Sequence, residues 1–199
     1  MKRILSVCCA AVTALCVTAC SGTASGGSSA GENSSQQTDG LNVVCGDSMD
    51  QDYADLMKSY FEAIEKKDFA AYQKAVYPPY QESYGQFLEA NGSDAETTFL
   101  EDLCTQFDED GYESWKLTEL QIEYYPEERE DLDDFFNAYS RAGIFDDAFI
   151  ESCKQDASEM HDILFTLYAL YEGDEEAVPI ITNGEMFVLK NAEGAYLFG

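Results

Sequence analysis

ILFTLYALY, residues 163–171, and VPIITNGEMFVLK, residues 178–190, are the stretches that decide the fold of this chain. The first is apolar except at Thr166, which predicts a central strand covered on both faces. The second has two β-prone runs on either side of Asn183-Gly184. Asn-Gly is a strong hairpin signal, so we expect a type I′ turn there between strands 178–182 and 185–190. A turn at 191–194 and a last strand at 196–198 complete an antiparallel C-terminal half.

The pattern upstream is mixed. Residues 115–124 alternate between Thr118, Leu120, Ile122 and Tyr124 on one side and polar residues on the other, which predicts a strand with one wet face. Elsewhere apolar residues recur at helical spacing. The predicted helical segments are 53–67, 68–76, 80–90, 93–107, 132–139 and 145–153. Helices first and mainly antiparallel strands later indicate an α+β fold in one domain, residues 41–199.

Three local motifs resemble the NTF2-like (cystatin-like) superfamily. An amphipathic helix breaks at Lys66-Lys67-Asp68-Phe69 and continues through Tyr72 to Tyr77-Pro78. The apolar strand, followed by residues 182–189, is similar to the superfamily's closing strands. The resemblance implies N-terminal helices packed on a curved, mainly antiparallel sheet that encloses a conical pocket. Both enzymes and non-enzymatic binding modules share that shape, so the fold does not decide the function.

The N-terminus reads as an export signal. A basic start is followed by an apolar run of about sixteen residues, too short to span a bilayer at roughly twenty. The run ends in Val17-Thr18-Ala19-Cys20, which resembles a bacterial lipobox. The resemblance implies that 1–19 is a signal peptide and that Cys20 is lipidated, which would hold the protein on the extracytoplasmic face of the cell membrane. Residues 20–40, rich in Ser and Gly, are expected to form a flexible tether.

The negative charge of the chain argues against nucleic acid and anionic lipid as partners of the domain. It has 11 basic and 39 acidic residues, a net charge of −28. A surface this negative argues against nucleic acid, and against anionic lipid binding by the domain itself. The bilayer is therefore expected as a partner only through acylated Cys20, beside an unknown small molecule or protein.

Three further cysteines, Cys45, Cys104 and Cys153, follow Cys20 in the predicted mature chain. They permit one disulfide and one free thiol, in three pairings. Cys104 and Cys153 fall on apolar faces of predicted helices, where a free cysteine packs as a small hydrophobe. We therefore expect reduced, buried thiols there. No pattern indicates a cofactor or a metal ion, and we expect neither.

His161, the only histidine, is the first candidate for chemistry. A dyad with Glu159 or Asp162 is conceivable, but a solvent-facing histidine at a strand entrance fits the sequence better. The acidic turn at residues 108–113 is similar to part of a calcium loop, yet Gln106 and Leu117 stand where its first and last ligands are required. A solvated turn at a helix end is expected instead.

Two compositional features complete the candidates. Six carboxylates crowd residues 127–134, where they could chelate a hard cation or simply favour a helix N-terminus. Tyr77, Tyr80 and Tyr84 surround Pro78-Pro79 and could line a pocket mouth or a partner surface, although packing in the core is the ordinary role of such residues.

The sequence therefore predicts an anchored lipoprotein that acts as a binding or interaction module for an unknown ligand. The alternative is a small-molecule enzyme of NTF2-like type with a buried carboxylate as general base, and no residue can be assigned to that role. A buried Asp or Glu with a raised pKa on the concave side of the sheet would favour the enzyme.

Overall fold

The computed structural model describes residues 40–46, 49–124, 136–137 and 139–198. Its fold is α+β: helices pack on a curled, mixed five-stranded sheet, consistent with the expected NTF2-like fold. The strands are β1 (Asn42–Cys45), β2 (Trp115–Tyr124), β3 (Glu159–Tyr171), β4 (Val178–Lys190) and β5 (Ala195–Leu197). The helices are α1 (Gln51–Glu65), α2 (Phe69–Ala75), α3 (Pro78–Ala90), α4 (Ala95–Thr98) and α5 (Asp147–Asp156). A π-helical turn, Phe99–Leu103, continues α4.

The strands lie in chain order, β1-β2-β3-β4-β5. β2 to β5 pair antiparallel, whereas β1 pairs parallel with β2. The sequence did not predict β1, because four residues carry too little periodicity to stand out beside the tether. β3 begins at Glu159, four residues before the predicted apolar run. From Ile163 onward, the residues on one face of β3 are buried, and those on the other face are half-buried. The prediction that both faces would be equally covered was therefore wrong.

Helix α1 supplies the centre of the core. Its apolar stripe is buried against the sheet, with the Phe61 ring 5.2 Å from the Phe165 ring. Asp50 caps the helix by accepting a hydrogen bond from the Asp52 backbone N–H at 2.9 Å. Tyr53, Met57 and Ile64 are each at most 1 % exposed. The apolar spacing that predicted this helix therefore corresponds to its packed face.

The short helices begin largely as expected. Asp68 caps α2 by accepting from the Ala71 N–H at 3.0 Å, and Pro78 and Pro79 open α3, where a missing N–H costs nothing. The helix predicted over residues 93–107 begins one residue later than expected. Asp94, rather than Ser93, is the N-cap and accepts from the Thr97 N–H at 2.9 Å. The helical part of this segment ends at Leu103 instead of residue 107, and turns follow at 104–107.

The hairpin predicted at Asn183-Gly184 was wrong. Residues 178–190 form one continuous strand, β4, and the hairpin instead joins β3 to β4 through residues 172–177. Asn183 has φ of +53°, but it lies in a bulge, since Thr182 and Asn183 together oppose Thr166. The sequence correctly indicated an unusual backbone conformation at Asn183. That residue forms a bulge within a strand, however, and not a turn between two strands.

A second irregularity changes which residues of β2 face the core. Leu117 pairs with Ala169 and Glu119 with Tyr168, so Thr118 is an extra residue in the ladder. Leu117, Leu120 and Ile122 are buried as a result, whereas Thr118 is only half-buried. The alternation of apolar and polar residues wrongly placed Thr118 on the inward face. A bulge changes which residues face inward but leaves the alternation in the sequence unchanged.

Several predictions lie outside the described residues. They are the signal peptide, the lipidated Cys20, most of the tether, the acidic run 127–134 and most of the helix at 132–139. In the part of the chain that the structure describes, no helix combines the length and the apolar character needed to cross a membrane.

Candidate binding site

One end of the sheet gathers several polar side-chain contacts between elements. Here α5 passes into β3, and β4 turns into β5. Ser158 joins the two connections, because its backbone N–H and its hydroxyl both donate to the carbonyl oxygen of Lys190, at 2.8 and 2.9 Å. The start of α3 is held close by, since the Tyr77 N–H donates to the Leu197 carbonyl oxygen at 2.8 Å. Residues far apart in sequence therefore meet in one region.

Tyr77, Asp156 and Asn191 form the first cluster in this region. The Tyr77 hydroxyl and the Asn191 side-chain amide both donate to Oδ2 of Asp156, each at 2.7 Å. The bond from Tyr77, followed by that from Asn191, holds the pKa of Asp156 below its ordinary value. Burial, reinforced by the bond to Asp156, raises the pKa of the Tyr77 hydroxyl. The cluster is a neutral phenol and a neutral amide fixed on an ionised carboxylate.

These residues line a surface cleft of about 330 Å³. The lining includes Tyr77, Pro78, Pro79 and the exposed Asp156. Residues 191–193 and Tyr196 complete it. The Tyr77 and Tyr196 rings lie 5.9 Å apart. The cleft thus combines apolar walls with polar groups, which is the usual make-up of a small-ligand site.

One of the three tyrosines singled out in the sequence lies in both the core and the cleft. Tyr77 is only 3 % exposed and packs on Phe198, so it belongs to the core, but it also lines the cleft, as the sequence suggested for the region around the two prolines. Tyr80 is only 3 % exposed and packs against Phe145 and Phe198, so it belongs to the core. Tyr84 is half-buried and stacks on Tyr80.

A second cluster lies beside the first and contains His161. Oε2 of Glu159 accepts a hydrogen bond from the Tyr53 hydroxyl at 2.9 Å and lies 3.3 Å from Nε2 of His161. The His161 side chain is only 13 % exposed, so the predicted solvent-facing histidine was wrong. Asp162, the other candidate partner, is the next residue of the strand and therefore points to the opposite face.

Lys190 connects this cluster to the start of α1. Its Nζ lies 3.0 Å from Oδ2 of Asp50 and 3.5 Å from Oδ2 of Asp52, and 5.5 Å from the centre of the Tyr53 ring. The hydrogen bond from Lys190 is the main cause of the lowered pKa of Asp50. The bond from Tyr53, followed by His161, lowers the pKa of Glu159. These contacts fix the N-terminus of α1 onto β3 and β4.

Along β3, the inner face of the sheet, which packs on α1, is apolar beyond the Glu159 and His161 cluster at its start. Ile163, Phe165, Leu167 and Ala169 line it along β3 and are buried. No described Asp or Glu is buried as a whole residue, although Oδ1 of the half-buried Asp162, on the opposite face of β3, is shielded from solvent.

The remaining candidates are dispersed. Asp108 accepts a hydrogen bond from the Trp115 indole at 2.8 Å, and the turn that follows it is exposed. Within the described ranges, no three acidic, Cys or His side chains come together as metal ligands. The acidic run at 127–134 falls outside those ranges.

Two of the three described cysteines, Cys104 and Cys153, are buried as the sequence predicted. Cys104 and Cys153 are buried, at 0 and 1 % exposure, while Cys45 is exposed on β1, and all three are free. Burial raises the pKa of Cys104, and it raises the pKa of Cys153 to about 12. Both buried thiols are therefore protonated packing groups rather than nucleophiles.

Sequence reasoning missed Asp50, Asp156, Lys190 and Asn191. Asp50 could have been found as an N-cap, since it stands just before an amphipathic helix. Asp156 and Asn191 carry no local signal, because only the pairing of β3 with β4 brings them together. The chain matches no protein-family model, no curated protein and no solved structure, so the geometry of this region is the basis for a functional interpretation.

Proposed function

We propose that this protein is an extracytoplasmic lipoprotein, anchored in the cell membrane through acylated Cys20, whose α+β domain is a binding or interaction module. The anchoring part rests on the lipobox-like Val17-Thr18-Ala19-Cys20 at the end of an apolar run. Two acyl chains contribute about 0.8 kcal/mol for each buried methylene, which is enough for stable attachment.

One observation carries the binding part of the proposal. From Ile163 onward, the described inner face of β3 is filled with apolar side chains, whereas a cleft lined by Tyr196, two prolines and fixed polar groups opens at the end of the sheet. Groups held by hydrogen bonds in a surface cleft can orient a ligand at little entropic cost. Recognition at the surface fits this arrangement better than chemistry inside a closed cavity.

Among the described residues, Glu159 and His161 are the pair that an enzyme could use. They form a carboxylate–imidazole pair, but the Glu159 side chain is 49 % exposed and its pKa is lowered. A general base works best when its pKa lies near the working pH, and a pKa below the ordinary range moves it away. The pair is better explained as part of the contacts that hold α1.

The test separates binding from turnover. The purified full-length protein is incubated with a small-molecule extract of the producing bacterium, and bound and free compounds are identified by mass spectrometry. We expect enrichment of one or a few compounds that are recovered chemically unchanged. Glu176→Gln, in the turn between β3 and β4, is the control and should retain the same compounds.

Consumption of a compound with formation of a product would contradict the binding proposal. Loss of that turnover in Glu159→Gln, with the fold intact by circular dichroism, would establish the enzyme instead.

A further inference from the structure

We propose that the cleft lined by Pro78, Pro79, Asp156, Glu193 and Tyr196 binds a small organic cation, an ammonium group carried on a compact apolar body. This inference rests on the proposed binding function and names the ligand class for the same site.

The charge of the lining selects a cation. Asp156 and Glu193 are its only charged side chains, and both are acidic. Both described hydrogen bonds to Asp156 end on Oδ2, so Oδ1 keeps acceptor capacity for a donor on the ligand. An anion would face two carboxylates in a chain of net charge −28.

The walls of the cleft suit an apolar body next to the charge. Tyr196 is half-buried and provides an aromatic ring to which an ammonium group is attracted, and the exposed Pro78 and Pro79 add rigid apolar surface. Tyr77 is buried and acts through its hydroxyl, which fixes Asp156. A volume of about 330 Å³ lies at the lower end of the range for small-molecule sites, roughly 300–1,000 Å³. A compact ligand is therefore favoured over an extended peptide.

The cleft is also organised in advance of binding. The Tyr77 and Asn191 bonds fix the Asp156 carboxylate, and the side-chain oxygen of Asn191 accepts from the backbone N–H groups of Glu193 and Gly194 at 2.9 and 3.2 Å. The turn that carries Glu193 is thereby tied to the same carboxylate. A cation would meet acceptors already in position, which reduces the cost of ordering them.

The experiment compares benzylamine with benzyl alcohol, a neutral probe of nearly the same shape. Binding of each to the full-length protein is followed by NMR chemical-shift changes and by calorimetry, at low and high salt. We expect benzylamine to bind at least tenfold more tightly, with shifts confined to the cleft and an affinity that falls as salt rises.

Variants test the residues. Asp156→Asn keeps the shape and should weaken benzylamine binding by about tenfold, and Glu193→Gln by a smaller factor. Glu176→Gln, an equal change of charge outside the cleft, should bind as the parent does. Glu193 is exposed, so its variant tests the cleft even if Asp156→Asn perturbs folding.

Equal affinity for both probes, no binding of either, or unchanged binding in both cleft variants would overturn the cation assignment. The extract experiment distinguishes this failure from that of the proposed function. An unchanged neutral or anionic ligand recovered there would leave the binding function standing and reject only the cation.

Discussion

Gly184 has almost no room for a side chain. A Cβ atom built on it would lie 2.6 Å from Cζ of Phe165 and 2.7 Å from Cγ2 of Ile181. Gly184→Val should therefore destabilise the domain by roughly 1–3 kcal/mol, the usual cost of overpacking. Urea unfolding measures the difference. The cause is a close approach of β4 to the Phe165 ring, not the type I′ turn that the sequence predicted.

Gly85→Ala is the matched control for this prediction. Gly85 lies within α3, and nothing would come within 4 Å of an added Cβ. Alanine favours a helix over glycine by about 1 kcal/mol, so this variant should be as stable as the parent or more stable. Normal stability of Gly184→Val would show that Phe165 can move aside and that the approach is not tight.

The cysteines should differ in reactivity in the folded protein. At pH 8, iodoacetamide should modify Cys45 and spare Cys104 and Cys153, because both are buried and the pKa of Cys153 is raised to about 12. After unfolding without reductant, all three should be alkylated. Mass spectrometry of the peptides measures both states, and a disulfide between any two of these residues would contradict the reduced, buried assignment.

The contacts between α1 and the sheet lead to a prediction on pH at the scale of elements. The pKa of Asp50 is lowered from its ordinary value of 3.8, so its charge stabilises the fold above that pH and stops doing so as pH falls through the folded-state value. Asp50→Asn keeps an N-cap but loses the ion pair with Lys190. We expect its Tm to be up to a few degrees below that of the parent at pH 7, with the difference vanishing in acid.

The comparison between parent and variant is essential in so acidic a chain. Protonation of many carboxylates relieves repulsion in both proteins, and only the difference in Tm isolates Asp50. Glu176→Gln, which removes an exposed carboxylate elsewhere, should show no such pH-dependent difference. An Asp50→Asn variant that unfolds at the parent's temperature from pH 7 to pH 3 would mean that the ion pair contributes nothing.

The helices and strands also show how much of the fold could be predicted from the sequence. Long periodic segments such as α1 and β3 were predictable, because their apolar spacing repeats over several turns or residues. β1 and the bulges at Thr118 and Asn183 were not, since each depends on a neighbouring strand rather than on its own residues. The candidate site was predictable only at Tyr77. Asp156 and Asn191 are 35 residues apart in sequence and meet only because β3 pairs with β4.

At the scale of the whole molecule, the predicted anchor and the cleft involve opposite edges of the sheet. The predicted tether would lead into β1, at one edge, whereas the cleft lies beside β5, at the other. A flexible tether of about twenty residues has an expected end-to-end distance of roughly 25 Å. Such a tether would let the domain turn so that a ligand can reach the cleft while the acyl chains remain in the bilayer.

The last prediction tests that arrangement through Cys20. The parent, expressed in a bacterium that processes lipoproteins, should partition into the detergent phase on cloud-point separation, because the acyl chains bury in micelles. Cys20→Ser has no thiol to acylate and should be found in the aqueous phase or retained as precursor. Cys45→Ser removes a thiol of the folded domain and should partition as the parent does. Equal partitioning of parent and Cys20→Ser would reject the lipid anchor, and the cleft would then have to be considered on a protein that is not attached in this way.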